Sequence, residues 1–450
     1  MSAARPLVAW YGDDFTGAAA VMETLAFAGV PAVLFLDVPD EEQIRRFASC
    51  RAFGIAGIAR AKSPAWMDRA LPPVFRALAG FGAAITQYKV CSTFDSAPDI
   101  GSIGHAAALA APILGGDWTP LLVASPAVGR YQAFGNLFAR ADGVIWRLDR
   151  HPTMRRHPVT PMTESDVRAH LAAQTRAPTG LVDLVAMKAG RGNAALAAAR
   201  AAGAEIVALD VVDDETLREA GRLIWEHRGE RIFALGSQGI EEALIAHWRS
   251  AGLLGAAPAL PHAGAVERVA AVSGSCSPLT AAQIAWAEAH GFRAIRLDAA
   301  GAVDPAHWEG LVHEAAAAAL ASLGEGYDPI VFTARGPDDP AAGALGAALA
   351  ASGADTDCVH GRIGDGLGRI LAEVRRTAGL RRLIIAGGDT SSRAAGALGL
   401  AALTAAAPTI AGAALFEAHE AGAAGPQLEI ALKGGQMGSE DYFARIKAGR

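Results

Sequence analysis

Short apolar runs alternate with alanine-rich helical stretches along the whole chain, and this alternation narrows its fold more than any other feature. Strands are expected at 7–11, 32–36, 84–89, 121–124, 205–209 and 231–235, and again at 269–272, 294–297, 329–332, 382–385 and 427–432. Such a rhythm is the pattern of a parallel sheet covered by helices. The nearly pure alanine segments at 194–202 and 315–321 read as helices lying close to a sheet, because high helix propensity and thin side chains suit that place. At 450 residues the chain is too long for one core. Residues 251–265 (AGLLGAAPALPHAGA) carry prolines and glycines but no acidic or basic residue, as a linker does. The expected fold is therefore α/β with two domains, 1–250 and 266–450, each a largely parallel sheet with helices.

In open α/β sheets, ligands bind beyond the carboxyl ends of the strands. The first strand runs into Gly12-Asp13-Asp14-Phe15-Thr16-Gly17, ahead of a helix expected at 18–28. Either aspartate alone reads equally well as a helix cap. Two in succession exceed what a cap needs, and a carboxylate pair at a strand end can hold a metal or take a proton from a hydroxyl. Asp13 and Asp14 are therefore the candidate catalytic residues, with Asp389, in a similar turn of the second half, as the rival that could act through magnesium.

The same design recurs in the second half. The apolar run at 383–386 enters Gly387-Gly388-Asp389-Thr390-Ser391, with a helix expected at 393–403, and the run at 428–432 enters Lys433-Gly434-Gly435. Paired glycines admit close backbone approach, and a helix N-terminus favours phosphate. Lysine adds a mobile positive charge for phosphate oxygens. The chain has only five lysines, and Lys89 and Lys433 both fall in these strand-end stretches.

Taken together, DDFTGA (13–18), VSGSCSPLTAAQIAWA (272–287), GGDTS (387–391) and LKGGQMGSEDYF (432–443) resemble the four-carbon acid sugar kinase family, in the family's order and across nearly the whole chain. The resemblance implies ATP-dependent phosphorylation of a small sugar acid, with Mg²⁺ accompanying the nucleotide and an active site in the cleft between the domains. It implies a substrate-binding domain at 1–250, using Asp13, Asp14, Lys89, Ser92, Thr93, Arg130 and His157. It implies a nucleotide-binding domain at 266–450, using Ser273, Ser275, Gly387, Gly388, Asp389, Thr390, Gly434 and Gly435. Where many members read KVDSTLRGN, this chain reads Lys89-Val90-Cys91-Ser92-Thr93-Phe94-Asp95-Ser96 and lacks the arginine expected to meet the substrate carboxylate. It also reads YGDDFTG in place of ADDFTG, which resembles a subgroup acting on branched 3-oxo acids such as 3-oxo-isoapionate. Arg130, in the strand-end loop 125–131, can supply the missing bidentate clamp. His157 sits in a proline-interrupted loop that suits a position over a site.

Other chemistries are disfavoured. A formal net charge of −6 without a basic cluster argues against nucleic acid. No uninterrupted apolar run long enough for a membrane span and no leader pattern is apparent, so a cytoplasmic protein with no membrane partner is expected, and a homodimer is allowed. Cys50, Cys91, Cys276 and Cys358 lack a paired spacing, which argues against disulfides or zinc, and Cys91 and Cys276 read as small packing residues. Neither Gly-x-x-x-x-Gly-Lys-Ser/Thr nor His-Glu-x-x-His occurs, and no protein-held metal site is expected. Ser237, flanked by Gly236 and Gln238, suits ligand contact better than nucleophilic attack. Gly364-Asp365-Gly366-Leu367-Gly368 imitates a dinucleotide fingerprint but lacks a preceding strand, so a plain helix start is expected. A non-catalytic sugar-acid-binding paralogue and an α/β oxidoreductase are the competing classes.

Overall fold

The computed structural model describes residues 5–141, 143–157, 159–410, 413–422, 425–426, 428–435 and 437–450, with the side chains of Asp389 and Ala413 excepted. The chain forms two compact units, Met1–Pro258 and Ala259–Arg450.

In the first unit the strands are β1 (Val8–Gly12), β2 (Ala32–Phe35), β3 (Ala52–Ile55), β4 (Ile85–Lys89), β5 (Thr119–Leu122), β6 (Arg130–Ala133), β7 (Asn136–Ala141), β8 (Val144–Arg147), β9 (Thr179–Val182), β10 (Ile206–Leu209) and β11 (Ile232–Gly236). Eight of them pair in parallel in the order β2-β3-β1-β4-β11-β5-β10-β9, while β6-β7-β8 make a separate antiparallel sheet. Strands β1, β4 and β11 are buried at every position; β1 and β11 accordingly read as unbroken apolar runs, while β4 buries Thr86, Gln87 and Lys89 as well. From β1 the chain first builds outward to β2 and β3, then returns to the other flank of β1 as β4. The reversal opens a crevice beyond the carboxyl ends of β1 and β4, and that is where ligands bind in such sheets.

The second unit contains β12 (Ala270–Ser273), β13 (Phe292–Arg296), β14 (Asp328–Phe332), β15 (Arg382–Ala386), β16 (Leu400–Ile410), β17 (Ala413–Glu420) and β18 (Leu428–Lys433). Its order is β13-β14-β12-β15-β18-β17-β16, with the first five parallel and the last two antiparallel. Here too the chain fills one flank of the central strand β12 before the other, so the crevice lies beyond β12 and β15.

Several expectations need correction. The helix expected at 393–403 is Gly388–Ala397, and β16 begins at Leu400. Alanine-rich sequence favours helix locally, but pairing with β17 overrides that preference. The apparent dinucleotide fingerprint is not a helix start: Gly364, Gly366 and Gly368 lie inside the helix Thr356–Ala378. A Cβ at Gly368 would stand 2.6 Å from Ala394 Cα, and one at Gly366 would stand 2.7 Å from the Trp308 ring. These glycines serve close helix packing, and the residues serve no nucleotide there. Strands β3, β9, β16 and β17 and the β6–β8 sheet were not expected from the sequence.

Candidate active site

The acidic turn after β1 is assembled by three neighbouring strand ends. Gly12 pairs with Lys89 in the parallel ladder, Asp13 N donates to Lys89 O at 3.0 Å, and Arg60 N donates to Asp13 O at 3.0 Å. Arg60 lies in the 3₁₀ turn Ala59–Ala61 just after β3. Its guanidinium reaches both aspartates: Nη2 donates to Asp13 Oδ1 at 2.6 Å and to Asp14 Oδ1 at 2.7 Å, while Nε donates to Asp13 Oδ2 at 3.2 Å.

The two carboxylates differ. Asp14 is the N-cap of the helix Phe15–Phe27: its Oδ1 accepts from Gly17 N at 3.0 Å and its Oδ2 from Thr16 Oγ1 at 2.7 Å. Its side chain keeps 22% exposure against 2% for Asp13. Burial pushes the Asp13 carboxyl up to about 6, although Arg60 pulls against it. Burial works in the same direction on Asp14, but the charges of Arg60 and Lys89 prevail and hold it below the ordinary carboxylate range. Lys89 is buried, with Nζ donating to Val90 O at 2.8 Å. A Cβ at Gly17 would fall 2.4 Å from Asp14 Oδ1 and 2.9 Å from Lys89 Nζ, which explains a glycine at that point of the turn.

The loop after β4 closes the cluster. Thr93 Oγ1 donates to Asp95 Oδ1 at 2.6 Å and contacts Cys91 Sγ at 2.9 Å. Burial acts to raise the Asp95 carboxyl, yet the Arg60 charge with the Cys91 and Thr93 hydrogen bonds brings it below its usual value. Ser92 is half-buried in the same loop. Arg130 is paired through its backbone with Ser125, and its guanidinium donates to Val128 O and Gly129 O while Nε stays buried without a partner. Burial lowers the Arg130 pKa.

Two residues expected to meet a ligand also make local hydrogen bonds. Ser237 is fully buried, donating to Val123 O at 2.8 Å and accepting from Gly239 N at 3.0 Å, so it is not available to a ligand. His157 Nδ1 accepts from Thr160 N at 3.1 Å and lies 3.0 Å from Thr160 Oγ1, within its own loop.

In the second unit, hydroxyls replace carboxylates. Ser273 ends β12 and its Oγ accepts from Ser275 N at 3.4 Å. Ser277 caps the helix Pro278–Glu288 by accepting from Thr280 N at 3.0 Å, and its hydroxyl donates to Gly435 O. Thr280 Oγ1 lies 3.1 Å from both Ser275 Oγ and Gly435 O, and receives Lys433 Nζ at 2.9 Å. Lys433 is fully buried rather than mobile, and burial brings its ammonium down to about 8. Gly387, at φ +121°, donates its N–H to Lys433 O at 2.9 Å and precedes the helix Gly388–Ala397. A Cβ at Gly274 would fall 2.1 Å from Thr390 Oγ1, whereas one at Gly388 would meet no atom within 4 Å. Gly434 follows Lys433 and its carbonyl accepts from Lys433 Nζ at 3.2 Å. The side chain of Asp389 lies outside the described residues. Cys276, expected to pack, is exposed.

Sequence reading thus anticipated both turns but missed Arg60, Asp95, Ser277 and Thr280. Arg60 had one available signal, its place just beyond a strand end, and that strand was itself missed.

Residues 8–244 match the family model of a sugar-binding N-terminal domain, and residues 270–443 that of a nucleotide-binding C-terminal domain. The chain is 46% identical over 444 residues to a 3-oxo-isoapionate kinase of Paraburkholderia graminis, covering 99% of this chain and 94% of the relative. The chain belongs to the four-carbon acid sugar kinase family. Like other members of the four-carbon acid sugar kinase family it is a sugar-acid kinase, and ATP use follows from that kinship. A 3-oxo-tetronate kinase of Methylobacterium radiotolerans is 33% identical, with 96% of each chain covered. A solved structure from Haemophilus influenzae matches with a TM-score of 0.68 at 26% identity, covering 97% of this chain and 98% of that one. The binding-only and oxidoreductase alternatives find no support among these relatives. Among the described residues, no helix is long and apolar enough to cross a membrane, and no group of three or more His, Cys, Asp or Glu side chains is placed to hold a metal ion. At the position where the family motif carries arginine, this chain has Asp95.

Proposed function

We propose that the chain transfers the γ-phosphoryl group of MgATP to a hydroxyl of a branched 3-oxo acid of the 3-oxo-isoapionate type. The observation that carries the choice of acid is the 46% identity over nearly the full chain to a kinase of that name, against 33% for a 3-oxo-tetronate kinase.

Phosphoryl transfer passes through a loose transition state and demands positioning and charge neutralisation more than a strong base. Geometry therefore ranks ahead of basicity. Asp14, the exposed member of the pair, orients the acceptor hydroxyl and takes its proton through a lone pair of Oδ2. Asp13 sits behind it and fixes Arg60. Lys89, Ser92 and Thr93 line the acceptor site, Arg130 clamps the substrate carboxylate, and His157 contacts the substrate from the loop it belongs to.

For the nucleotide, the amides of Gly387, Gly388, Gly434 and Gly435 and the hydroxyls of Ser273, Ser275 and Thr390 meet the phosphates, with Lys433 as countercharge. Mg²⁺ arrives with ATP and takes most of its ligands from phosphate oxygens and water. Turnover requires that the acid and the γ-phosphate come within reach of one another.

The test is ADP release by the purified protein with 3-oxo-isoapionate and with 3-oxo-tetronates. Release with the branched acid is expected; no release with any of these acids overturns the proposal.

A further inference from the structure

The loop after β4 holds a carboxylate that the phosphoryl-transfer argument leaves unused. Asp95 is only 7% exposed. It follows Phe94, a fully buried residue at φ +55°, in the left-handed region that a bulky side chain seldom enters. Such strain persists only where the surroundings over-determine it. Here the His170 ring lies 5.6 Å from the Phe94 ring, and Ser96 Oγ donates to Phe94 O at 3.1 Å. Ser96 Oγ also lies 2.9 Å from His170 Nε2 and receives Gln174 Nε2 at 2.8 Å. The helix Val167–Ala172 and the turn after it thus fix the backbone from which Asp95 projects.

Thr93 Oγ1 donates to Asp95 Oδ1 at 2.6 Å, and the Cys91 thiol is a second, weaker donor to the same carboxylate. A carboxylate offers about four lone-pair sites and accepts only. Arg60 keeps it ionised, but the guanidinium hydrogen bonds go to Asp13 and Asp14. Asp95 is therefore a fixed, ionised acceptor with lone pairs beyond those its thiol and hydroxyl neighbours use, and it attracts a hydroxyl and repels a carboxylate or ketone oxygen. Arg130 carries the opposite preference, with a buried Nε left without a partner.

We propose that Asp95 is a specificity-determining residue: it accepts a hydrogen bond from the hydroxyl on the branch of a branched 3-oxo acid, while Arg130 takes the carboxylate. This rests on the reading that the chain phosphorylates 3-oxo acids. An unbranched acid leaves Asp95 without its donor in a desolvated site, and losses of that kind give large discrimination ratios.

The experiment compares kcat/KM for 3-oxo-isoapionate and an unbranched 3-oxo-tetronate in the wild type, in the near-isosteric Asp95→Asn and in the smaller Asp95→Ser, with ATP binding followed calorimetrically as a check on folding. The wild type is expected to favour the branched acid by about tenfold or more. Both variants should lower that ratio at least about tenfold, chiefly through KM for the branched acid. A ratio unchanged in the variants, or a wild type without preference for the branched acid, overturns the role of Asp95 and leaves the kinase reading standing. A wild type that phosphorylates neither acid removes the kinase reading instead.

Discussion

At the end of β1 the first unit gathers Asp13, Asp14 and Asp95 around Arg60, with Lys89 alongside Asp14, whereas at the end of β12 the second unit gathers serine and threonine hydroxyls, glycine amides and Lys433. Both sit where the chain reverses direction across a parallel sheet. The first cluster sets three carboxylates against two cations, so most of its charge is balanced within the protein and it offers directed hydrogen bonds. The second keeps a buried cation with no carboxylate against it among the described residues, so a polyanion supplies the missing charge. Each unit is thus completed by what its ligand lacks or carries.

The contrast can be broken most severely at Gly388. A Cβ there meets open space, so Gly388→Val should fold normally, while its side chain fills the approach of phosphate to the helix N-terminus. Calorimetry should find ATP binding abolished and sugar-acid binding retained; unchanged ATP affinity would move the nucleotide elsewhere.

Next in size is Asp14→Asn. Asparagine caps a helix about as well as aspartate, so the melting temperature should hold. Turnover should nevertheless fall roughly 10²–10⁴-fold, the range for a lost proton acceptor. Asp13→Asn should cost less and should flatten the acidic limb of the pH profile. That limb is expected because Asp13 takes up a proton as pH falls through about 6, releasing Arg60. Equal losses in the two variants would contradict the division of labour between them.

Lys433→Met separates the units most sharply. Removing a buried, uncompensated cation should raise the melting temperature, while kcat/KM for ATP drops about 10²–10³-fold, as when a charge-stabilising donor is lost. In the wild type Lys433 gives up its proton as pH rises through about 8, so ATP affinity should fall on the alkaline side and that fall should vanish in the variant. The smallest effect is expected for Arg130→Ala, where KM for the acid should rise about 10–100-fold with kcat nearly kept, the loss of a charged hydrogen-bonding group.

What the sequence could tell followed from burial. Parallel strands buried on both faces announce themselves as apolar runs, so β1, β12, β15 and β18 and the turns after them were legible. Strand β16, LAALTAAAPTI, was not. Its alanines favour helix, and its Pro408 falls within the register irregularity between Ala407 and Ile410, where the ladder gives way. The β6–β7 hairpin turns through Phe134 and Gly135, both at positive φ, without the Asn-Gly or Asp-Gly signal that marks such turns. Arg60 and Asp95 were hidden for a further reason: their meaning lies in which strand ends adjoin, and sheet order is not written in local pattern. The departure at Asp95 was visible only as a missing arginine, never as a gained acceptor.

The glycine face of the helix Thr356–Ala378 bears on how freely this protein can drift. With Gly368 lying almost against the backbone of Ala394, and Gly361 and Gly364 against the side chain of Arg393, the spacing between two helices is set by hydrogen atoms. The second of those helices begins at Gly388, the residue proposed above to meet phosphate. A single methyl group acquired at Gly368 would therefore shift a phosphate cradle some twenty residues away in sequence, without touching it. Along that seam the helix spacing tolerates no added carbon, whatever the surfaces do.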